Sequence, residues 1–158
     1  MPRNTYNSET VPRKFIVSSA IFLNEQEELL LIKSPYKGYW SLPGGIVEKS
    51  ESPLEGCFRE IQEEVGLAPQ HLRLLVIDYK DKRPEHDQLI FVFFAGIVRT
   101  EEYKNITLAE DEVSEYRFVK PEEALPLLSE GLKKRIGPCL QALKESRVIL
   151  LKEGAEQE

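Results

Sequence analysis

The sequence predicts an α/β domain in which helices cover both faces of a β-sheet. Two observations lead to this prediction. Residues 89–98 form an almost continuous apolar run, which suits a strand that is buried on both of its faces. Residues 53–65 instead carry apolar side chains at helical spacing, so that one side of this helix can pack on such a sheet. A sheet between two helical layers forms a three-layer sandwich.

Short apolar segments between turn residues predict the remaining strands. Residues 24–27 form a turn between the first two strands, and Lys37–Gly38 marks a loop before a short extended piece. The predicted strands cover residues 15–23, 29–33, 72–79, 89–98 and 116–119, with the short piece at 39–42. The polar stretches 80–87 and 100–112 are predicted to be loops.

Two helices are predicted after the last strand. Pro121 suits the first position of a helix that runs to about residue 128. Further on, Leu132, Ile136 and Leu140 recur every four residues and predict a C-terminal helical extension. We expect Gly137–Pro138 to kink or split this extension, because proline lacks the amide hydrogen that a helix interior needs.

Length and composition favour one globular domain. The chain has 158 residues, of which 41% are hydrophobic and 30% are charged. We predict a flexible arm over residues 1–13, a single domain over 14–152 and a frayed acidic tail over 153–158. The extension could cover the core or form the interface of a homodimer, and the sequence leaves both open.

Charge and cysteine content limit the function classes. The net charge of −6 argues against extended nucleic-acid binding. No apolar run has the length of a membrane span, which predicts that the protein does not enter a membrane. Cys57 and Cys139 show no disulfide framework or metal-ligand spacing, and Cys57 is predicted to be a buried thiol. These features predict a cytoplasmic protein.

The helix over residues 53–65 has start and stop signals at both ends. Ser52 is a good N-cap, Pro53 fits the first helical position, and Glu55 completes a Ser-x-x-Glu capping box. Gly66 is placed to end the helix in the left-handed conformation. The preceding Leu42–Gly45 segment, Leu-Pro-Gly-Gly, predicts a turn that leads into the helix.

Acidic residues cluster on this helix. Glu60, Glu63 and Glu64 have i, i+3 and i+4 spacing and therefore share a helical face, largely away from the apolar stripe. Like charges that close are destabilising unless something neutralises them. A divalent cation with oxygen ligands would do so, and Mg²⁺ is the obvious candidate because it binds carboxylates together with substrate phosphates.

The segment from Gly45 to Leu67 resembles the Nudix box, the defining motif of the Nudix hydrolase family. That motif has nine fixed positions over twenty-three residues, and every one is filled here without a departure. The matching residues are Gly45, Glu51, Arg59, Glu60, Ile61, Glu63, Glu64, Gly66 and Leu67. The resemblance implies a Nudix-like α/β/α sandwich with a mixed β-sheet, in which the box lies beside the active cleft.

The resemblance also implies a chemistry and a set of metal ligands. Family members hydrolyse a pyrophosphate linkage of a nucleoside diphosphate joined to another group, using Mg²⁺, for which Mn²⁺ can substitute. The metal ligands implied here are Glu60, Glu63, Glu64 and the backbone carbonyl of Gly45. Arg59 is expected to orient Glu51 or Glu55 through its guanidinium fork. The alternative for Arg59 is an ordinary surface pair with Glu55.

The general base stays open at this stage. Family members use either a glutamate of the box, here Glu63 or Glu64, or a glutamate in a loop before a late strand. Glu112 and Glu115 occupy such a stretch, and Glu112 is the first choice outside the box. The alternative is that both lie in a solvated charged loop.

The resemblance implies a small nucleotide as the substrate, but few residues of the sequence indicate which one. Lys33 could reach a phosphate, Tyr39 could stack on a base, and Glu48 could add an acidic contact in the cleft. Trp40 is expected to pack in the core. A nucleoside triphosphate and a nucleotide sugar both fit. Two alternatives to this enzyme are a non-catalytic nucleotide-binding module of the same fold and an RNA 5′-end pyrophosphohydrolase.

Overall fold

A mixed β-sheet organises the structure, a computed structural model that describes residues 11–81 and 87–158. Its strands in chain order are β1 Phe15–Asn24, β2 Leu29–Lys33, β3 Trp40–Ser41, β4 Gly44–Ile46, β5 Arg73–Lys80, β6 Gln88–Val98, β7 Glu115–Val119, β8 Ile149–Lys152 and β9 Ala155–Glu156. The helices are α1 Pro53–Val65, α2 Pro121–Ala124 and α3 Glu130–Glu145, with 3₁₀ turns at Thr100–Asn105 and Leu125–Leu127. The predicted strands and the box helix are confirmed to within about two residues.

The order of the main sheet is β3-β2-β1-β6-β5-β8-β9, with β4 paired to β1 and β7 paired to β2. The two long strands β1 and β6 run parallel, from Phe15 opposite Gln88 to Asn24 opposite Val98. Strand β5 is antiparallel to β6 and parallel to β8. The sheet is therefore mixed, as the resemblance implied.

Two separate apolar clusters lie on the two faces of this sheet. On one face, Leu132 and Ile136 of α3 pack with Ile21 of β1 and Val92 of β6. On the other face, Ile61 of α1 packs with strand residues that include Ala20, Phe22 and Phe93. Because side chains alternate along a strand, the central strands supply both clusters. The three-layer arrangement predicted from the apolar run is confirmed.

The helical extension differs from its prediction at Gly137–Pro138. Helix α3 runs without interruption from Glu130 to Glu145, with Pro138 inside it, so the predicted split is wrong. An interior proline costs about 3 kcal/mol. Burial of an apolar stripe on both sides of Pro138 offsets that cost. The buried apolar residues of this helix are Leu132, Ile136, Cys139 and Ala142.

The predicted frayed tail is also wrong. Ala155–Glu156 form β9, which pairs antiparallel with β8, and the amide of Gln157 donates to the carbonyl of Leu150 at 2.9 Å. Sequence patterns missed both strands because each is very short. The predicted arm is described only from residue 11 onward, and its first ten residues lie outside the described part. Within the described residues, no helix is both long and apolar enough to cross a membrane.

A buried ion pair ties α3 to the sheet. Arg135 Nε donates to Asp78 Oδ2 at 2.8 Å, and these residues are 8% and 1% exposed. The other carboxylate oxygen of Asp78 accepts from the amide of Gly154 at 3.1 Å, in the turn between β8 and β9. Gly154 has a φ of 80°, and a Cβ there would lie 2.5 Å from Lys134 Cβ. One carboxylate therefore fixes α3 and the last hairpin against β5.

We expect Asp78→Ala to lower the free energy of unfolding by about 3–5 kcal/mol, because it leaves a buried guanidinium without its partner. Urea denaturation measures this change. The double variant Asp78→Leu with Arg135→Met should cost much less, since it buries no charge. The control is the exposed pair Arg117–Glu115, where Glu115→Ala should cost less than about 1 kcal/mol. Equal losses of unfolding free energy in Asp78→Ala and Glu115→Ala would contradict the prediction.

Candidate metal and substrate site

Strand β4 carries two glycines past β1 at very short range. Gly44 lies opposite Ser19 and Gly45 opposite Ser18. Gly44 has a φ of 150°, and a Cβ on it would lie 2.3 Å from the carbonyl oxygen of Ser18. No other residue fits here without moving the strand. The close approach directs the amide of Gly44 toward α1, where it donates to Glu64 Oε2 at 2.8 Å.

The caps of α1 are confirmed and fix where its acids lie. The Ser52 hydroxyl accepts from the amide of Glu55 at 3.2 Å, and the Glu55 carboxylate accepts from the amide of Ser52 at 2.7 Å. Gly66 ends the helix with a φ of 69°. The backbone contact with Ser52 lowers the pKa of Glu55. The Glu55 carboxylate therefore caps the helix. Among the described residues, Arg59 makes no hydrogen bond to Glu55, so the alternative of a surface pair between these two residues is not seen.

Arg59 stands at the centre of the acidic cluster. Its Nε donates to Glu51 Oε1 at 2.6 Å, and its Nη2 donates to Glu51 Oε2 at 3.1 Å and to the carbonyl of Ile46 at 3.1 Å. Its Nη1 donates to Glu60 Oε1 at 2.9 Å and Glu63 Oε2 at 3.0 Å. The guanidinium lowers the pKa of Glu51, and Glu51 in turn raises the pKa of Arg59. One cation therefore faces three carboxylates.

Glu60 and Glu64 are partly buried carboxylates with raised pKa values. Burial raises the pKa of Glu60. Burial is also the main cause that raises the pKa of Glu64 to about 7, and the charges of Glu60 and Glu112 add to it. Lys37 acts in the opposite direction on Glu64. Glu112 thus lies close enough to both box acids to repel them, although its own side chain is exposed.

Gly45 lies directly against one of these carboxylates. A Cβ on Gly45 would be 2.5 Å from Glu60 Oε1 and 2.6 Å from Glu60 Cδ. Glycine at this position allows the backbone of β4 and the carboxylate of α1 to share one small space. The structure therefore brings Gly45 together with Glu60 and places Glu64 beside Gly44.

The donor set fits a hard divalent cation such as Mg²⁺. All the groups involved are oxygens, and Mg²⁺ binds such oxygens while retaining several waters. Burial, the main cause of the raised pKa values of Glu60 and Glu64, disfavours their charged forms, which a bound cation would favour. In this structure Arg59 and Gly44 hold the carboxylates instead. Over residues 11–81 and 87–158, no three His, Cys, Asp or Glu side chains are arranged to hold a metal ion.

The remaining predicted residues differ in how close they lie to the acidic cluster. Lys33 Nζ lies 5.8 Å from the ring centroid of Trp40, which is 5% exposed and packs in the core as predicted. Tyr39 is 40% exposed and lines the neighbouring cleft. Glu48 is exposed, 3.9 Å from Arg59 Nη1. Glu115 lies in β7 and pairs with Arg117 at 2.7 Å, whereas the charge of Glu112 acts on Glu60 and Glu64. The predicted roles of all site residues stay predictions.

A cleft of about 680 Å³ opens on the α3 face of the sheet and reaches Gly44 and Gly45. It extends from this rim across β1 and β6 to the start of α3. The sequence analysis missed most of its lining, because the residues come from six separate segments and share no motif. Its polar lining includes Ser19, Lys37, Tyr39, Lys80, Gln88, Glu130, Arg135 and Glu153.

Known proteins resemble this chain in sequence and in fold. The model of the NUDIX domain family matches residues 13–142. The 8-oxo-dGDP phosphatase NUDT18 of Danio rerio is 30% identical over 135 residues, covering 78% of this chain and 40% of that protein. The ADP-ribose pyrophosphatase of Methanocaldococcus jannaschii is 38% identical over 80 residues, covering 48% of this chain and 47% of that protein. The crystal structure of the MutT protein from Methanosarcina mazei Go1 has a TM-score of 0.68 and 26% identity, over 86% of this chain and 99% of that chain.

The sandwich and its box define a NUDIX domain. The family match covers most of the chain, and the protein belongs to the Nudix hydrolase family. This confirms the resemblance seen in the sequence. The chain spans less than half the length of the two curated relatives described above, and those relatives act on different nucleotides by name.

We expect Gly45→Ala to weaken Mg²⁺ binding by about tenfold or more, because the added Cβ displaces the Glu60 carboxylate. Isothermal titration with MgCl₂ measures the affinity, and circular dichroism checks the fold. Gly38→Ala is the matched control, since nothing lies within 4 Å of a Cβ there. Unchanged Mg²⁺ affinity in a folded Gly45→Ala protein would remove Gly45 and Glu60 from the proposed ligand set.

The pKa of Glu64 predicts a pH-dependent stability in metal-free protein. Because the folded state raises this pKa from 4.5 to about 7, the folded state holds the proton more tightly than the unfolded chain. The resulting stability is present below about pH 4.5 and is lost as the pH rises through about 7. We therefore expect the free energy of unfolding of Glu64→Gln, minus that of wild type, to increase between about pH 4.5 and 7.

Urea unfolding in EDTA at several pH values measures this difference. The exposed Glu122→Gln serves as the control and should follow wild type at every pH. A Glu64→Gln protein whose stability difference from wild type stays flat between pH 4.5 and 7 would show that Glu64 is not held in its protonated form.

Proposed function

We propose that this protein is a Mg²⁺-dependent hydrolase that cleaves the pyrophosphate linkage of a nucleoside diphosphate joined to another group. The observation that carries the proposal is the set of box carboxylates that Arg59 and the amide of Gly44 hold together beside the cleft-lining glycines Gly44 and Gly45. Family membership supports the reaction class, and the names of the pyrophosphatase relatives support a nucleotide substrate.

In this proposal the box residues hold the metal beside the scissile linkage. Glu60, Glu63, Glu64 and the carbonyl of Gly45 are the ligands, and Mn²⁺ can replace Mg²⁺. When bound, the ion neutralises phosphate oxygens and lowers the pKa of a coordinated water. Arg59 holds Glu51 and the box acids in place through the contacts described above, and is a positioning residue.

The reaction is the addition of water across a phosphorus–oxygen bond. The water oxygen attacks one phosphorus of the pyrophosphate, the bond to the bridging oxygen breaks, and two phosphorylated products leave. A carboxylate that is not used as a ligand accepts the proton of the attacking water. Glu112 is the candidate outside the box, because its charge reaches Glu60 and Glu64. Glu63, with a side chain 52% exposed, is the candidate within the box, in which case it leaves the ligand set to Glu60, Glu64 and Gly45.

The rest of the substrate is proposed to lie in the cleft that begins at Gly44 and Gly45. Tyr39 lines this cleft, where it would stack on a base, and Glu48 lies outside its lining. Lys33 lies against Trp40 rather than in the cleft, which makes it a weaker candidate for a phosphate contact. The buried free thiols Cys57 and Cys139 support a cytoplasmic setting for this activity.

The proposal is tested with a panel of nucleotides, including ADP-ribose, nucleotide sugars, nucleoside triphosphates and a triphosphorylated RNA oligomer. We expect Mg²⁺-dependent release of a nucleoside monophosphate or phosphate from at least one small nucleotide, and loss of the activity in EDTA. A binding module would raise the melting temperature with a ligand and release nothing. An RNA 5′-end enzyme would prefer the oligomer and lose activity steeply with salt.

We expect Glu63→Gln and Glu64→Gln to lower turnover by about 10²-fold or more while the fold survives, because each removes a carboxylate from the proposed metal site. Glu122→Gln, an exposed residue of α2, is the control and should retain wild-type turnover. Steady-state kinetics on the best substrate of the panel measure these values. Wild-type rates in both box variants would refute the metal assignment.

A further inference from the structure

One buried hydroxyl group lies beside the acidic cluster without a hydrogen-bond partner. Ser18 belongs to β1 and is 0% exposed. Among the residues that the structure describes, its Oγ is the one buried side-chain oxygen or nitrogen that makes no hydrogen bond. A buried hydroxyl without a partner lowers stability, whereas the methyl group of an alanine at the same position would not. The stability of the metal-free fold therefore gives no reason for a hydroxyl at position 18.

This hydroxyl faces the box helix. A Cβ on Gly56, which is buried on the inner side of α1, would lie 3.5 Å from Ser18 Oγ. The same Cβ would lie 3.1 Å from Glu51 Oε2 and 3.2 Å from Val47 Cγ2. Ser18 Oγ therefore lies in the layer between β1 and α1, next to acids of the box.

The Glu60 carboxylate lies in the same layer. Ser18 is directly opposite Gly45 in the β1–β4 pair, and such partners direct their side chains to one face with Cβ atoms about 4.5–5.5 Å apart. A Cβ on Gly45 would be 2.5 Å from Glu60 Oε1 and 2.9 Å from Glu60 Oε2. Gly56 and Glu60 are four residues apart and share a face of α1. The helix thus places Gly56 over Ser18 and Glu60 over Gly45, so that the hydroxyl and the carboxylate are neighbours.

Of the two acids near Ser18, Glu60 is the one that can accept another hydrogen bond. Both oxygens of Glu51 are already used, Oε1 by Arg59 Nε and Oε2 by Arg59 Nη2 and the amide of Glu48. Glu60 accepts from Arg59 through Oε1, while its Oε2 accepts from no other group in the described part of the chain. A hydroxyl that lacks an acceptor thus lies beside a carboxylate oxygen that lacks a donor.

We propose that Ser18 is a positioning residue of the metal site, and that its hydroxyl donates a hydrogen bond to the Glu60 carboxylate in the orientation that binds a divalent cation. A carboxylate that binds a metal ion is commonly held by a second protein group, and this contact fixes its direction. In the metal-free structure Arg59 Nη1 holds Glu60 instead. The inference rests on the proposed function, because that proposal makes Glu60 a ligand.

The test variant is Ser18→Ala, measured in two ways. Isothermal titration with MgCl₂ should show an affinity about tenfold weaker than that of wild type, because the carboxylate loses its supporting contact. Urea unfolding in EDTA should show a midpoint equal to that of wild type or higher, since the metal-free fold loses only an unpaired hydroxyl. A residue that merely fills space would instead lower the urea midpoint when it is truncated.

Val76→Thr is the matched control. Val76 is 0% exposed in β5, packs on the α3 face of the sheet and pairs with Val92 and Ile149. Threonine has nearly the same shape but adds an unpaired hydroxyl among apolar groups, so the urea midpoint in EDTA should fall. The Mg²⁺ affinity should equal that of wild type, because the substitution lies on the face of the sheet opposite to α1. The control therefore changes the measurement that Ser18→Ala leaves intact.

The outcomes separate this inference from the proposed function. Wild-type Mg²⁺ affinity in Ser18→Ala would refute the role of Ser18, and so would a weaker affinity that comes with a lower urea midpoint in EDTA. Either result leaves the hydrolase proposal standing, since the nucleotide panel uses wild-type protein. If Ser18→Ala behaves as expected while wild type hydrolyses no nucleotide, the role of Ser18 stands and the proposed hydrolase fails. Wild-type protein that binds no Mg²⁺ would overturn both.

Discussion

The site depends on one arrangement of charge, in which the Arg59 guanidinium is shared among Glu51, Glu60 and Glu63. Burial raises the pKa values of Glu60 and Glu64 because it disfavours their charged forms. The arginine holds the acids together, and the two caps of α1 fix the helix that presents them.

The acidic helix and the cleft lie on opposite faces of the sheet and approach each other at β4. Helix α1 and its carboxylates lie on one face, and α3 with the cleft lies on the other. The two meet at β4, where Gly44 and Gly45 line the cleft while touching Glu64 and Glu60. The buried pair of Asp78 and Arg135 keeps α3 in register with this rim.

Sequence reasoning succeeded where the information is local. The caps at Ser52 and Gly66, the apolar stripe of α1 and the doubly buried run of β6 each depend on residues a few positions apart. It failed at α3 and at the tail. Pro138 is tolerated because packing on the sheet outweighs the lost hydrogen bond, and β9 exists because β8 offers an edge to pair with. Neither effect is visible in a window of neighbouring residues.

The sequence alone determined the box, the identity of its acids and the helix that presents them, since a complete motif is a local pattern with fixed spacing. Only the tertiary structure decided which groups these acids meet. It placed Gly44 and Gly45 of β4 against Glu64 and Glu60. It also brought Glu112 close enough to raise the pKa values of these two acids. The cleft is assembled from β1, β5, β6 and α3. Such contacts join residues that are distant in the chain, and their distances depend on how the sheet and the helices pack.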